Sequence, residues 1–343
     1  MKRFVYRLLV PLFLGYAALT IGQTPLTYIA PRTEYGLPDL QGNWEKRFAT
    51  PVERPEELGD KRAYTEAEAV EFQRIQEVQR DAREANVAAD RGPPPVGGDI
   101  EFRTDLNFIE FRTDLNFLPD LPVEVALING EYRTSLIIEP SNGRFPFRNE
   151  RLDSRRRYFE LMNTNFNGPE ARPPGERCLH LGPPLPTMTN FDGTHIQIVQ
   201  TKNYVMIMSE EAIQTRIIRL NKSHPEFPIA RWMGNSIGHW EGETLVIHTN
   251  NFRPEHTYSQ IASSANFEVT ERITAMSENE LLYSYTIVDP DTYTAAIVAE
   301  LPFQRMSPDH KLYESACHEG NRAVVDILLG ARRKEHDAES PLP

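Results

Sequence analysis

The sequence predicts a mainly β protein, an antiparallel barrel or sandwich with one long N-terminal helix and a short C-terminal helix. Three observations predict it. Residues 194–303 form a ladder of short alternating segments (195–200, 204–209, 216–220, 243–249, 267–274, 281–288 and 293–303) broken by polar turns. Strands at this spacing read as a sheet closing on itself, and a barrel of that size can enclose one small ligand. No long helical pattern interrupts the ladder. Helical periodicity is confined to residues 65–89 and 321–333, near the two ends of the chain.

Taken in order, residues 1–22 have the parts of a secretory signal. Lys2, Arg3 and Arg7 form a positive start, residues 8–19 an apolar stretch broken by Pro11, and Thr20 or Gly22 a small residue for cleavage. The stretch is shorter than the roughly 18–20 apolar residues of a spanning helix, so export with cleavage is expected rather than anchoring. Residues 23–130 are expected to hold a first strand near Trp44, then a helical and loop segment. Thr65-x-x-Glu68 is a capping box, and Ala67, Val70, Ile75, Val78, Ala82 and Ala85 keep a helical stripe until Gly92-Pro93-Pro94-Pro95. Residues 100–108 read IEFRTDLNF and residues 109–117 read IEFRTDLNF again. An odd-length insertion reverses strand facing, so the two copies are expected not to be structurally equivalent. Residues 131–333 are expected to form the barrel or sandwich with its C-terminal helix, in which Ala323, Val324, Ile327 and Leu328 face inward. Residues 163–186 read as a linker or a long loop over the barrel mouth, the charge run at residues 150–157 as a helix or solvated loop, and residues 334–343 as a frayed tail.

The formal net charge is −12, and losing the basic leader would make it more negative. Such a chain repels nucleic acid and anionic membrane surfaces, so neither is an expected partner, and after signal cleavage no membrane contact is expected. A small apolar or amphipathic ligand is compatible with this balance; the oligomeric state is left open. Two cysteines, Cys178 and Cys317, are few and even in number, which favours a disulfide in an exported protein. Cys178-Leu179-His180 and Cys317-His318 are also a zinc set by ligand type, but at spacings that no usual zinc motif has. No metal site is therefore expected. With no phosphate loop, dinucleotide fingerprint or paired metal carboxylates, no cofactor is expected either.

Several blocks resemble a family of exported bacterial β-rich proteins of unassigned function. They are Pro38-Asp39-Leu40-Gln41-Gly42-Asn43-Trp44, residues 133–140 with Asn142-Gly143-Arg144, Glu176-Arg177-Cys178, and Gln197-Ile198-Val199-Gln200. Further on come Arg231-Trp232-Met233-Gly234-Asn235-Ser236, residues 238–246 (GHWEGETLV), Asp289-Pro290 and residues 313–321 (YESACHEGN). The resemblance implies export and a β fold, and no settled reaction. The chain departs from the family at Ile213-Gln214-Thr215, where relatives often carry a His, and at Ala296-Ile297, near which they often carry a Trp. The duplicated nonapeptide falls where relatives tend to have an aromatic-rich stretch, so a site lined by that stretch would be altered here. Gly42-x-Trp44 and Gly238-x-Trp240 are similar to the Gly-x-Trp signature of lipocalin-like barrels, where the Trp closes one end. That resemblance bears on fold and not on chemistry.

Among candidate catalytic residues Glu271 comes first. Period two puts it on the same strand face as Phe267, Val269 and Ile273, and a carboxylate among apolar neighbours suits a general acid or base. The competing reading is an ion pair with an inward arginine such as Arg216 or Arg305. His239 and Arg272 are the neighbours expected to assist Glu271; His195 and His248 also sit on strands. Trp232, Trp240, Phe267, Tyr283 and Tyr285 are expected to line a ligand cavity, with core packing as the alternative. The expected function is capture of a small apolar or amphipathic molecule inside the barrel. The alternatives are a lyase, isomerase or hydrolase built on Glu271, and a structural or interaction module with a packed barrel.

Overall fold

A computed structural model of the chain describes residues 28–85, 122–148, 165–172, 176–179, 195–210, 214–226, 229–253, 264–314 and 316–339. The expected leader, the duplicated nonapeptide and the 150–157 charge run lie outside the described residues. The strands among the described residues are β1 (Gly42–Glu45), β2 (Ala63–Tyr64), β3 (Leu127–Ile128), β4 (Glu131–Arg133), β5 (Ile137–Glu139), β6 (His195–Gln200), β7 (Tyr204–Ser209), β8 (Gln214–Leu220), β9 (Asn235–Glu241), β10 (Thr244–Asn250), β11 (Glu268–Ser277), β12 (Glu280–Val288) and β13 (Ile297–Arg305). Among the described residues the α-helices are α1 (Glu66–Ala85) and α2 (Ala323–Glu339).

Strands β6 to β13 lie side by side in chain order, and β1 pairs with both β6 and β13. The protein is thus mainly β, with a closed nine-strand barrel. Closure follows from the sequence pattern: β11 and β12 alternate buried and accessible residues, so each presents one apolar face to the lumen. Strand β5 joins β13 through Val298 and Ala299, and β2, β4 and β3 form a small separate sheet.

The barrel is mixed rather than wholly antiparallel. Strands β8 and β9 run parallel, paired only at Arg219–Ile237 and Leu220–Gly238. A parallel pair needs a crossover of roughly a dozen residues or more, and residues 221–234 supply one. Gly238 sits at this joint, where a Cβ would lie 2.8 Å from Ile218 Cγ2 and 3.1 Å from the Val246 carbonyl oxygen. Neither group is the free end of a flexible chain. Gly238→Ala is therefore expected to destabilise the barrel by about 1–3 kcal/mol through overpacking, read as a lowered urea midpoint with an unchanged slope.

Three further expectations are corrected. The barrel does not begin at residue 131, because β1, far upstream, is the strand that closes it. Trp44 is buried there, its Nε1 donating to the Leu40 carbonyl and its ring stacked under the Arg305 guanidinium at 4.1 Å. The α1 capping box forms as expected, Thr65 N donating to Glu68 Oε2 and Glu68 N to Thr65 Oγ1. Yet α1 buries Ala69 and rests Phe72 on Tyr64, leaving Val70, Ile75 and Val78 exposed. Finally, α2 is not short and no tail frays at residue 334, since the helix continues to Glu339. Of the residues expected to face inward, Val324, Ile327 and Leu328 are half-buried and Ala323 is exposed, and none is fully buried. Asn321 caps the start by accepting from Ala323 N, and salt links such as Arg333–Asp337 support the exposed continuation.

Candidate functional site

Glu271 projects into the lumen from β11 and is fully buried. Arg216, projecting inward from β8 across the barrel, meets it with two parallel bonds: Nη1 to Oε2 and Nη2 to Oε1, both 2.6 Å. Tyr283 on β12 donates its hydroxyl to Glu271 Oε1 at 2.6 Å. Burial acts to lower the Arg216 pKa, but the Glu271 charge and hydrogen bonds outweigh it and the net direction is upward, so the guanidinium stays charged. The acid that period two places inside is therefore held by an arginine and a tyrosine. Arg305, the other arginine considered, is engaged with Trp44 instead.

The expected helpers of Glu271 do not join it. His239 and Arg272 are one residue out of phase with the inward row, and both are exposed. They meet Glu241 on the outer surface, with Arg272 Nη2 to Glu241 Oε2 at 2.8 Å and His239 Nε2 to Oε1 at 3.1 Å. Both helpers are thus removed from the Glu271 constellation by strand alternation.

The aromatic candidates divide. Tyr283, Tyr285 and Phe267 are buried in the core, Phe267 edge-on to Phe252 at 5.2 Å and Tyr283 edge-on to Phe303 at 6.0 Å. Burial pushes the Tyr285 pKa up, and its hydroxyl has no hydrogen-bond partner among the described residues. Trp240 packs against the core from the end of β9, its Nε1 also without a hydrogen-bond partner among the described residues. Trp232 lies outside it, under the Arg253 guanidinium at 4.5 Å.

None of these aromatics lines the cavity of about 520 Å³ that opens beside the parallel joint. Below the two paired positions β8 and β9 separate, and the gap becomes a groove. Its apolar wall is Tyr204, Ile217, Pro225, Ile229 and Met233; its polar wall includes Thr215, Asn235, Ser236 and the arginines Arg216, Arg219 and Arg231. Gly234 shapes the lip. It has φ +64°, and a Cβ there would lie 2.7 Å from Thr249 Cγ2 and 2.8 Å from the Asn250 carbonyl oxygen. A smaller cavity of about 250 Å³ lies between Phe48, residues 125–127 and the β12–β13 hairpin.

Beside the groove is a histidine pair. His224 Nε2 and His248 Nδ1 are 2.8 Å apart, and His224 Nδ1 is 3.3 Å from Asn235 Oδ1. Arg219 Nη2 donates to that same Oδ1, which fixes it as an acceptor. His224 Nδ1–H is then a donor and His224 Nε2 accepts from His248 Nδ1–H, while His248 Nε2 faces Glu268 Oε2 at 3.6 Å. Burial lowers the His224 pKa, with His248 and Arg219 acting the same way against Asn235 and Glu268. The unfolded chain therefore takes up a proton near the ordinary value of about 6.5 before the folded one does. The stability from His224 is present above that value and lost as pH falls toward the lowered folded value. Compared with wild type, His224→Gln is expected to lose less stability between pH 7.5 and pH 5. Equal losses in paired urea titrations would show that the pair takes no part in proton linkage.

Cys178 and Cys317 are joined in a disulfide, Cα to Cα 5.7 Å, so neither sulfur is a thiolate available to zinc. The disulfide points to an oxidising, exported environment. Among the described residues no helix is long and apolar enough to cross a membrane, and no group of three or more His, Cys, Asp or Glu residues could hold a metal ion. Comparison with protein-family models, curated proteins and solved structures finds no match.

Proposed function

We propose that this protein is an exported binding protein, periplasmic or extracellular, that captures a small amphipathic molecule in the groove between β8 and β9. The observation that carries this reading is the groove itself: about 520 Å³, half-open, with an apolar wall facing a polar one. The lumen offers less. Its centre is occupied by Arg216, Glu271 and Tyr283, and around them Trp44, Tyr285 and Phe303 are almost wholly buried. These observations support ligand capture at the seam of the barrel over capture inside it.

The test is native mass spectrometry of the mature protein recovered from a bacterial periplasm. Extra mass released on denaturation is expected from the wild type. Thr215→Trp, at an exposed strand position on the groove wall, should fill the groove without disturbing the fold and lose that mass. A bare wild-type mass, or a ligand that survives Thr215→Trp, would sink the assignment.

One observation favours a second reading, an interaction module with a packed barrel. Val70, Ile75 and Val78 on α1 and Val325 and Leu329 on α2 are exposed apolar side chains on helices that stand off the barrel. The enzyme reading has less support, because both oxygens of Glu271 are already engaged by Arg216 and no histidine is among its partners.

A further inference from the structure

Arg219 and Arg231 differ from most arginines among the described residues in forming no ion pair with a carboxylate. Arg219 donates to the Asn235 amide oxygen, and the Arg231 side chain makes no ion pair among the described residues. The chain as a whole carries 49 acidic and 37 basic residues. Against that excess of acid, the described residues that line the groove include three arginines and no Asp or Glu. Only Arg216 of the three is neutralised, by Glu271 behind it. Two uncompensated guanidiniums on a concave surface form a site for negative charge, since each can offer paired N–H donors to an oxyanion.

A second feature continues from the same groove. Across β6, β7 and β8, Val199 is paired with Met206 and Met206 with Ile217, so the three side chains stand in one row on one face. That face is the outer one. Ile217 is 53% exposed and Val199 38%, whereas Arg216 and Ile218 on either side of Ile217 are buried. Ile217 is both the end of this row and part of the groove wall. An apolar track two strand spacings long, about 10 Å, therefore runs outward from the place where the arginines gather.

We infer that the ligand is an anionic amphiphile, of which a medium-chain alkyl carboxylate is the simplest form. Its oxyanion lies between Arg219 and Arg231, and its chain leaves the groove over Ile217 and Met206 toward Val199. This inference rests on the groove being the binding site. It adds the charge of the head group and the path of the tail.

Isothermal titration of the mature protein with hexanoate, octanoate, decanoate and dodecanoate, and with dodecyl phosphate, dodecanol and dodecyltrimethylammonium, tests both parts. Dodecanoate and dodecyl phosphate are expected to bind at least about tenfold more tightly than dodecanol, with the cationic amphiphile weakest. Across the carboxylates, affinity should rise by roughly threefold to fourfold for each added methylene that finds the track. The double variant Arg219→Gln/Arg231→Gln should bring dodecanoate down to the level of dodecanol. Met206→Ser/Ile217→Ser should flatten the chain-length series and weaken dodecanoate far more than hexanoate. All four positions are at least partly exposed, so folding is retained and is checked by circular dichroism. Equal affinity for the alcohol and the carboxylate, unaltered by the arginine variants, would overturn the anionic head group and leave groove binding in place. Carboxylate affinity independent of chain length would overturn the tail path. Failure of every probe, together with a bare native mass, would remove the groove reading as well.

Discussion

Glu271→Gln is expected to destabilise the barrel by about 3–5 kcal/mol, because it leaves the Arg216 guanidinium charged, buried and without its counter-ion. That is a large part of the 5–15 kcal/mol typical of a folded domain. Arg216 and Glu271 stand on strands on different sides of the lumen, and both are almost fully shielded from solvent. The glutamine amide can still accept from one Nη, but it carries no charge and one of its two ends is itself a donor. Arg216→Gln should cost a comparable amount by stranding the carboxylate, which would keep only the Tyr283 hydroxyl. Removing both partners is different. Arg216→Met combined with Glu271→Leu replaces the ion pair by apolar groups of similar volume and should recover most of the loss, or exceed it. Tyr283→Phe should fall between, at about 1.5–3 kcal/mol, the range for a hydrogen bond to a charged group. Urea denaturation of the four variants measures this set. A Glu271→Gln protein as stable as wild type, but lacking a turnover that wild type has, would instead make Glu271 a catalytic acid or base.

The position of Glu271 was legible in the sequence because strand alternation is strict: a polar residue in phase with Phe267, Val269 and Ile273 must face the same side. Its partner was legible only as a choice between arginines, since Arg216 lies 55 positions away and nothing local says which strands share a lumen. The same alternation, applied to Arg272, the neighbour of Glu271 on β11, would have placed it outside. Strand β9 itself is hidden. Its inward positions are Ser236, Gly238 and Trp240, so the apolar alternation that marks other strands is missing, and Gly234 and Gly238 look like turn residues. Without β9 neither the parallel joint nor the groove beside it can be anticipated. The groove residues Thr215, Arg219, Arg231 and Asn235 and the His224–His248 pair have no signature spacing, because they are assembled by that joint. The start of α1 was legible from its capping box, Thr65 with Glu68, whereas the Asn321 cap of α2 emerges only in the structure. The less exposed face of α2, with Val324, Ile327 and Leu328, was legible too, whereas on α1 the apolar stripe of Val70, Ile75 and Val78 stays exposed.

Replacing Cys178 and Cys317 by serine is expected to release α2 while leaving the barrel closed. The crosslink spans 139 positions that contain β6 to β13, and the chain-entropy model sets a ceiling of about 4–5 kcal/mol for its loss. That ceiling assumes that both ends stay fixed in the folded state once the bond is cut. Here one end does not. Beyond the disulfide, α2 is tied to the rest of the described protein by Arg332 Nη2 to the carbonyls of Phe166 and Asn167, and by Asn321 Nδ2 to Glu176 O and Cys178 Sγ. It buries no residue. Cutting the bond therefore frees the folded chain as well as the unfolded one, and the loss for the barrel should sit toward the low end of the usual 2–4 kcal/mol. The local loss is larger. Trypsin should remove α2 at Arg322 from the serine variant within a time that leaves the oxidised protein intact, while the remainder keeps its near-ultraviolet circular dichroism. Cooperative loss of the barrel signal together with α2 would show instead that the disulfide holds the barrel, and that the exposed helix transmits that constraint.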